Sequence, residues 1–474
     1  MISFYLMLYT PILGALLMLG IGNLKIAGYC NIVISAAGFV SSIFMAHYFL
    51  THGAFLAIGN QFYIDSFNLI IIILTTFIIT TTAFFSNVFM WQNAIINKIQ
   101  ARHLRLYHVM YQLFAFSMLV ALSTNNIGIL WVSMEGATLA TVLLVSLYRT
   151  KESIEASWKY FILCIIGIAL ALFGTILIYF SASQKTMLWS VLYQSTNHFD
   201  PAIIKIAFVF LLIGYGTKIG LVPLHNWLPD AYSESPAPVS TLLSGLLSNI
   251  ALYALIRFKI LTDLALFNNL MMVFGLLSFV VAVILLQRQR NIKRLLSYSS
   301  IEHMGLITFI FGFGGTIAAF IGLFYMLMHA LTKSAIFMIL GNVVQQTKTN
   351  SLEKIRGLIK NQPLLGFGLL AAILIICGIP PFGIFTSELM LFMECVKFLP
   401  WIVIILIIGF IMAFAGLLRN IQPVVYGEPT EMARLKICMW PAILHLVLVM
   451  ILGLYIPPVL QQLLNAAVGV LCRT

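Results

Sequence analysis

The chain has 474 residues, of which 61% are hydrophobic and only 8% are charged, and its mean hydropathy is +1.04. A water-soluble domain is about half apolar and about a quarter charged, so this composition excludes a water-soluble fold. The net charge of +12 comes from basic residues scattered over short loops, which argues against a nucleic-acid-binding face and favours an effect of membrane topology.

Apolar runs recur along the whole chain, and most have the roughly 20 residues that a helix needs to cross a hydrocarbon layer. We count about fourteen spans, centred near residues 12, 39, 78, 115, 137, 170, 212, 248, 278, 305, 330, 375, 408 and 447. The first run lacks a basic region before it and a small-residue cleavage site after it, so we expect a retained helix. The sequence therefore predicts an all-α, polytopic membrane protein.

The basic residues are unequally shared between the two sets of loops. If the N-terminus lies outside, 18 of the 26 lysines and arginines fall in inside loops, Lys98 and Arg434 among them, and six fall at outside ends. The positive-inside rule then predicts a multi-pass protein with both termini outside. Because every loop is short, residues 1–474 are predicted to form one integral membrane domain.

Proline and glycine interrupt two of the apolar runs. The first break is Gly216-Thr-Lys-Ile-Gly-Leu-Val-Pro223, and the second is Gly378-Ile-Pro-Pro-Phe-Gly383. A break frees backbone groups, so it is tolerated at membrane depth only beside a cavity or packed neighbours. Two breaks at comparable places predict an internal repeat with a site near the midplane, and we place the repeats at about residues 106–260 and 268–419.

The first half carries two ionisable residues within spans. Glu135 lies early in the fifth run, and Lys218 directly precedes the first break. Ionisable groups in spans face the bundle interior and tend to mark ion pathways. Burial favours the neutral amine and a nearby carboxylate favours the ammonium, so such a pair can switch protons. The structural alternatives are a protonated glutamate in a polar seam and a lysine that reaches the interface.

In the second half, His329 and Lys333 are four residues apart and share one helix face. Histidine titrates near neutral pH and can pass a proton onward, although a buried histidine is often only a satisfied core residue. Glu388 follows the second break and would end the chain of titratable groups.

Other polar residues are secondary candidates. His225 and Asp230 lie in the loop after the first break, which is either an inside proton entrance or a structural cap. Glu302 and His303 are placed at the inside start of the tenth span, where they either join the pathway or form an interfacial salt bridge with the basic loop 288–294.

No cofactor or metal site is expected in this chain. Its six cysteines lie far apart, without a CxxC pair or metal-ligand spacing. Nothing resembles a glycine loop that cradles phosphate. Any driving chemistry must therefore lie in partner proteins.

Together these segments resemble the antiporter-like subunits of bacterial respiratory complex I, membrane-bound hydrogenases and cation/proton antiporters. The resemblance is carried by the Trp-x-x-x-Glu ending at Glu135, the block from Lys218 to Ala231, Ser235-Pro-Ala-Pro-Val-Ser240, and the second break with Glu388. It implies fourteen helices with two inverted five-helix repeats. It also implies an interacting pair at Glu135 and Lys218, and a hydrated polar axis continued by Lys333 and Glu388.

Within this family, Tyr298-Ser-Ser-Ile-Glu-His-Met-Gly305 and His329-Ala-Leu-Thr-Lys-Ser334 are most similar to the F subunit of hydrogenase-4 and formate-hydrogenlyase-type complexes. Many complex I subunits have a lysine in the eighth span, whereas this chain has Asn249 in the matching region. Without this lysine, the resemblance leaves water or Asn249 to connect the two halves of the polar axis.

Three functions are weighed. The leading hypothesis is a non-redox subunit that translocates protons, driven by electron transfer in other membrane subunits of a hydrogenase-like or NADH:quinone oxidoreductase-like complex. The alternative is a cation/proton antiporter component, which adds sodium as a possible ion, or the membrane subunit of a two-part inorganic carbon uptake system. A stand-alone carrier for an organic solute is disfavoured, because no substrate site beyond the proton-type residues is apparent.

Overall fold

The computed structural model describes residues 1–96, 99–195, 199–262, 265–433 and 435–473, so Lys98 and Arg434 lie outside the described residues. The first ten helices of this described part are α1 Ile2–Gly20, α2 Leu24–His52, α3 Ser66–Ile95, α4 Ala101–Ser123, α5 Ile127–Val145, α6 Lys151–Ser181, α7 Trp189–Gln194, α8 Pro201–Ile219, α9 Trp227–Glu234 and α10 Ala237–Leu242. The remaining ten are α11 Ser248–Thr262, α12 Ala265–Leu286, α13 Ile292–Phe313, α14 Gly315–Thr347, α15 Leu358–Asn361, α16 Pro363–Ile376, α17 Gly383–Phe398, α18 Pro400–Tyr426, α19 Trp440–Leu454 and α20 Pro458–Cys472. A five-residue π-helix, Leu243–Leu247, joins α10 to α11.

Within the described residues, 11 helices are long and apolar enough to cross a membrane, and the bent pair α19 and α20 would make a twelfth. Each of the predicted span centres falls on a helix, but the more polar α13 and the shorter α16 and α17 are not among these 11. The all-α, polytopic prediction is confirmed. The count of fourteen and the two repeats stay predictions.

A buried ion pair ties two helix ends together. Asp65 caps α3, and its two carboxylate oxygens accept from the Arg257 guanidinium of α11 at 2.7 and 2.8 Å. Arg257 also donates to the hydroxyl of Tyr253 at 2.8 Å. A paired, hydrogen-bonded charge is the form in which an arginine is tolerated in a protein interior. Arg257, one of the six basic residues that the loop count assigns to outside ends, is buried in the core.

The opposite end of the bundle, which we call the basic end, holds the end of α3 and the segment before α19. Gln345 of α14 donates to the Phe89 carbonyl and to the Asn93 side chain of α3, both at 3.1 Å. Gln92 of α3 donates to the Lys436 carbonyl at 2.8 Å. These bonds fix the ends of α3 and α14 and the segment before α19 relative to one another.

Glycines let two pairs of helices, α6 with α8 and α12 with α13, approach closely. A Cβ on Gly214 of α8 would lie 2.6 Å from the backbone nitrogen of Ala171 and from the carbonyl oxygen of Gly167, both on α6. Between α12 and α13, a Cβ on Gly275 would lie 2.6 Å from the Gly305 carbonyl oxygen. Small residues at helix interfaces are the usual means of close packing in membranes, where the hydrophobic effect does not drive helix association.

We expect Gly214→Ala to force α8 away from α6, because the new methyl group would meet backbone atoms that cannot rotate aside. Overpacking of this kind costs about 1–3 kcal/mol. The thermal unfolding midpoint in detergent should therefore fall by several degrees. Gly38→Ala on α2 is the matched control, because a Cβ there meets nothing within 4 Å. Equal midpoints for the two variants would contradict the packing described.

Candidate functional site

The end of α8 places Lys218 inside the bundle. Gly220 adopts a left-handed conformation with φ of 88° and ends the helix one residue after Ile219. The indole of Trp227 donates to the freed Thr217 carbonyl at 2.7 Å, and the hydroxyl of Ser278 accepts from the Val222 amide at 2.9 Å. The backbone groups released by the first break thus have protein partners, as membrane depth requires. Lys218 lies in the last turn, where helix carbonyls favour a cation.

Lys218 is fully buried and bonds to α5. Its ammonium donates to the Met134 carbonyl at 2.8 Å and to the hydroxyl of Thr138. These two acceptors flank Glu135, which is partly exposed and acts on the lysine through space. Yet among the described ion pairs none joins Glu135 to Lys218, and the Glu135 Oε2 atom has no hydrogen-bond partner in the described chain. The two groups, which we call the first centre, are therefore adjacent but not paired.

The segment after the first break holds helices together, and Asp230, predicted to lie in a loop, belongs to the short helix α9. Asp230 forms ion pairs with Arg294 of α13 and with Lys159 of α6, the latter at 3.2 Å. His225 is mostly buried, its ring lies 6.4 Å from that of Tyr298, and its Nδ1 atom lacks a partner among the described residues. These ion pairs favour the structural-cap alternative for Asp230. The unpartnered Nδ1 atom of His225 is still available to take part in proton transfer.

Asn249 lies between the two halves. Its amide nitrogen donates to the Gly245 carbonyl of the π-helix at 2.9 Å, and its buried carbonyl oxygen is unpaired within the described chain. A Cβ on Gly245 would meet the hydroxyl oxygen of Ser334, the residue after Lys333, at 2.2 Å. The π-helix therefore packs directly against the stretch of α14 that carries Lys333.

A hydrogen-bonded row of three side chains crosses the second half. The hydroxyl of Tyr325 on α14 bonds to Nδ1 of His303 on α13 at 2.7 Å and donates to Oε1 of Glu388 on α17 at 3.0 Å. His329, one turn along α14, has its ring centre 5.8 Å from that of His303. All four residues are buried. The row links three helices without a break.

Lys333 and Glu302 complete this group, which with His303, Tyr325, His329 and Glu388 we call the second centre. The Lys333 ammonium donates to the Leu296 carbonyl of α13 at 3.1 Å, and Glu302 acts on it through space. No described ion pair joins Lys333 to Glu302. The prediction that Glu302 and His303 lie at the inside start of their span is wrong. Since α13 begins at Ile292, both are buried well within the helix.

The second break shapes the position of Glu388. Gly378, just after α16, has φ of 68°, which favours glycine. A Cβ there would also lie 2.0 Å from the Glu388 carboxylate. Only glycine lets the broken backbone come this close to the carboxylate. The break and Glu388 therefore form one structural unit, as the first break does with Lys218.

The structure thus brings five of the predicted residues into one buried cluster and leaves others apart. Tyr325 and Thr138 were missed by sequence reasoning. Tyr325 is four residues before His329 and eight before Lys333, so the spacing already places it on the same helix face. Thr138 gave no such signal, because its role depends on how α5 and α8 are aligned. The described residues contain no cluster of three or more potential metal ligands.

Comparison with known proteins now gives the family. Residues 123–414, more than half of the chain, match the family described as NADH:quinone oxidoreductase/Mrp antiporter, TM. Hydrogenase-4 component F homolog of Methylacidiphilum infernorum (isolate V4) is 44% identical over 459 residues, which cover 94% of this chain and 95% of that protein.

Solved structures share the fold. A chain of the membrane-bound sulfane sulfur reductase, an archaeal respiratory membrane complex, superposes with a TM-score of 0.88 at 23% identity. The match covers 99% of this chain and 97% of the reductase chain. A chain of the Mrp complex from Dietzia sp. DQ12-45-1b superposes with a TM-score of 0.87 at 19% identity. The match covers 100% of this chain and 97% of the Mrp chain. The resemblance inferred from the motifs, including that to the F subunit of hydrogenase-4, is confirmed. The chain therefore belongs to the NADH:quinone oxidoreductase/Mrp antiporter family of membrane proteins.

Proposed function

We propose that this chain translocates protons across a bacterial inner membrane as a subunit of a larger complex. The observation that carries the proposal is a pair of buried ionisable groups, Lys218 beside the first helix break and the second centre with Glu388 beside the second break. Charged groups are costly in spans and mark ion pathways where they occur. Electron transfer in partner subunits supplies the energy, and the termini face outside, in keeping with the loop charges.

The two lysines are suited to act as switches. Each ammonium is held by neutral oxygens, at Met134 and Thr138 for Lys218 and at Leu296 for Lys333. Each has a carboxylate nearby that is not bound to it. Such a lysine can lose its proton more readily than one locked in an ion pair, and approach of the carboxylate recaptures it. A small change in helix position is enough to move between the two arrangements.

Water completes the path between the centres. Several buried polar atoms in and beside the second centre have no partner in the described chain, among them the Asn249 carbonyl oxygen, the Ser334 hydroxyl and both ring nitrogens of His329. Buried polar groups that lack protein partners are generally bonded to ordered water. A hydrated link at Asn249 therefore substitutes for the lysine that many relatives have there.

Lys218→Ala should abolish proton translocation while the complex still assembles. Proton transfer by a positioned side chain contributes roughly 100-fold or more, so we expect flux below about a tenth of the wild-type rate. The complex is purified through a tag on this chain, reconstituted in vesicles and driven by its own redox partners, with a pH-sensitive dye inside. Lys397→Ala is the control, because Lys397 is exposed and pairs with Glu394. Wild-type flux in Lys218→Ala would refute the mechanism. A dye response that requires a sodium gradient and does not require the redox partners would favour the antiporter alternative.

Tyr325→Phe should also reduce proton flux, by about ten-fold or more, because it removes the hydroxyl that joins His303 to Glu388. The ring is kept, so packing changes little. Tyr111→Phe is the matched control: its hydroxyl is equally buried and donates to the Ile79 carbonyl at 2.5 Å, away from both centres. Both variants lose a buried hydrogen bond, so both should be slightly less stable, but only Tyr325→Phe should lose transport. Equal flux in the two variants would exclude Tyr325 from the path.

A further inference from the structure

A groove at the basic end is separate from the proton path. It lies between the start of α2, the end of α3 and the segment before α19, and has a volume of about 520 Å³. We call it the basic groove. Its lining residues are Lys25, Tyr29, Asn87, Val88, Trp91, Gln92, Ile95, Ile96, Leu435 and Lys436. Two lysines and no carboxylate are among them, so the charge of the groove is positive.

The rest of the lining is suited to lipid. Tyr29 and Ile95 are 63% and 61% exposed on the outer surface of the bundle, next to the ends of their helices. Trp91 lies beneath Lys25, with the ammonium 4.9 Å from its ring centre. Aromatic rings and lysines at the ends of apolar helices mark the level of the lipid headgroups. The groove therefore offers cations at the headgroup level and apolar side chains below it.

The backbone at Lys436 is held by hydrogen bonds to the core. Its carbonyl accepts from Gln92, and the neighbouring Leu435 carbonyl accepts from Gln346 of α14 at 2.7 Å. The Leu435 amide donates back to Gln346 at 3.2 Å. Lys25 is held on the other side by the first turn of α2, which Asn23 caps. The backbone segments that carry the two lysines of the groove are thus both held by bonds within the protein.

We propose that the basic groove binds the headgroup of one anionic phospholipid, with its phosphate between Lys25 and Lys436 and its acyl chains along Tyr29 and Ile95. Basic pockets between helices at the inner leaflet are suited to anionic headgroups, and each basic residue near the surface contributes about 1 kcal/mol. A zwitterionic lipid would gain less, since its own cation opposes the lysines. The proposal is independent of proton transport.

The test counts bound lipids on the intact complex. Complex purified in mild detergent is titrated with phosphatidylglycerol or with phosphatidylcholine of the same chains, and binding is followed by native mass spectrometry. We expect one phosphatidylglycerol to bind more tightly than phosphatidylcholine. Lys25→Gln/Lys436→Gln should weaken that binding by about 30-fold, from the loss of two cations. Glycerol phosphate without acyl chains should not bind at the same concentration.

Lys354→Gln/Lys360→Gln is the matched control, because it removes the same charge from exposed lysines outside the groove. It should leave phosphatidylglycerol binding unchanged. Equal loss in both double variants would show that surface charge alone attracts the lipid and would overturn the proposal. So would equal affinity for the two lipids, binding of glycerol phosphate alone, or a neighbouring subunit seated in the groove in a map of the complex.

Discussion

The central constraint on this protein is that a charge or a freed backbone group inside a hydrocarbon layer must be given partners by the protein or by water. The chain meets this constraint at each break. Trp227 and Ser278 satisfy the backbone at the first break, and Gly378 brings the second break against Glu388. The helix breaks therefore provide the space for the ionisable groups. These groups lie next to polar backbone atoms that the breaks have freed.

The same constraint is met in two different ways by the buried charges. Arg257 and Asp65 form a buried bidentate pair, further bonded by Tyr253. Removing one member of such a pair costs about 3–5 kcal/mol, and neither charge is free to change partners. Lys218 and Lys333, in contrast, are held by neutral oxygens. In the proposed mechanism, this difference in partners, and not burial alone, is what distinguishes the two lysines from Arg257.

Much of this arrangement could be predicted from the sequence. Composition and run length gave the helical membrane fold, and the position of Lys218 deep within an apolar run indicated its burial. The error at Glu302 and His303 has a simple cause. The basic residues Lys293 and Arg294 suggested a loop, but Asn291 caps α13, so these residues are already helical. Glu302 is then about 15 Å along the helix. Tertiary contacts, such as the hydrogen bond from Lys218 to Thr138, depend on how the helices are aligned with one another. Hydrophobic periodicity does not determine that alignment.

In the proposed path, the row of His303, Tyr325 and Glu388 would let one helix, α14, control the contacts of its neighbours. Tyr325, His329 and Lys333 are spaced by four residues on α14, so they move together if that helix rotates or shifts. A rotation that weakens the 3.0 Å bond from Tyr325 to Glu388 would at the same time move Lys333 relative to Glu302. Breaking the bond from Tyr325 to Glu388 would thereby be coupled to a change in the contacts of Lys333. A proton path needs such coupling, since a row that stayed connected from end to end would simply let protons leak back.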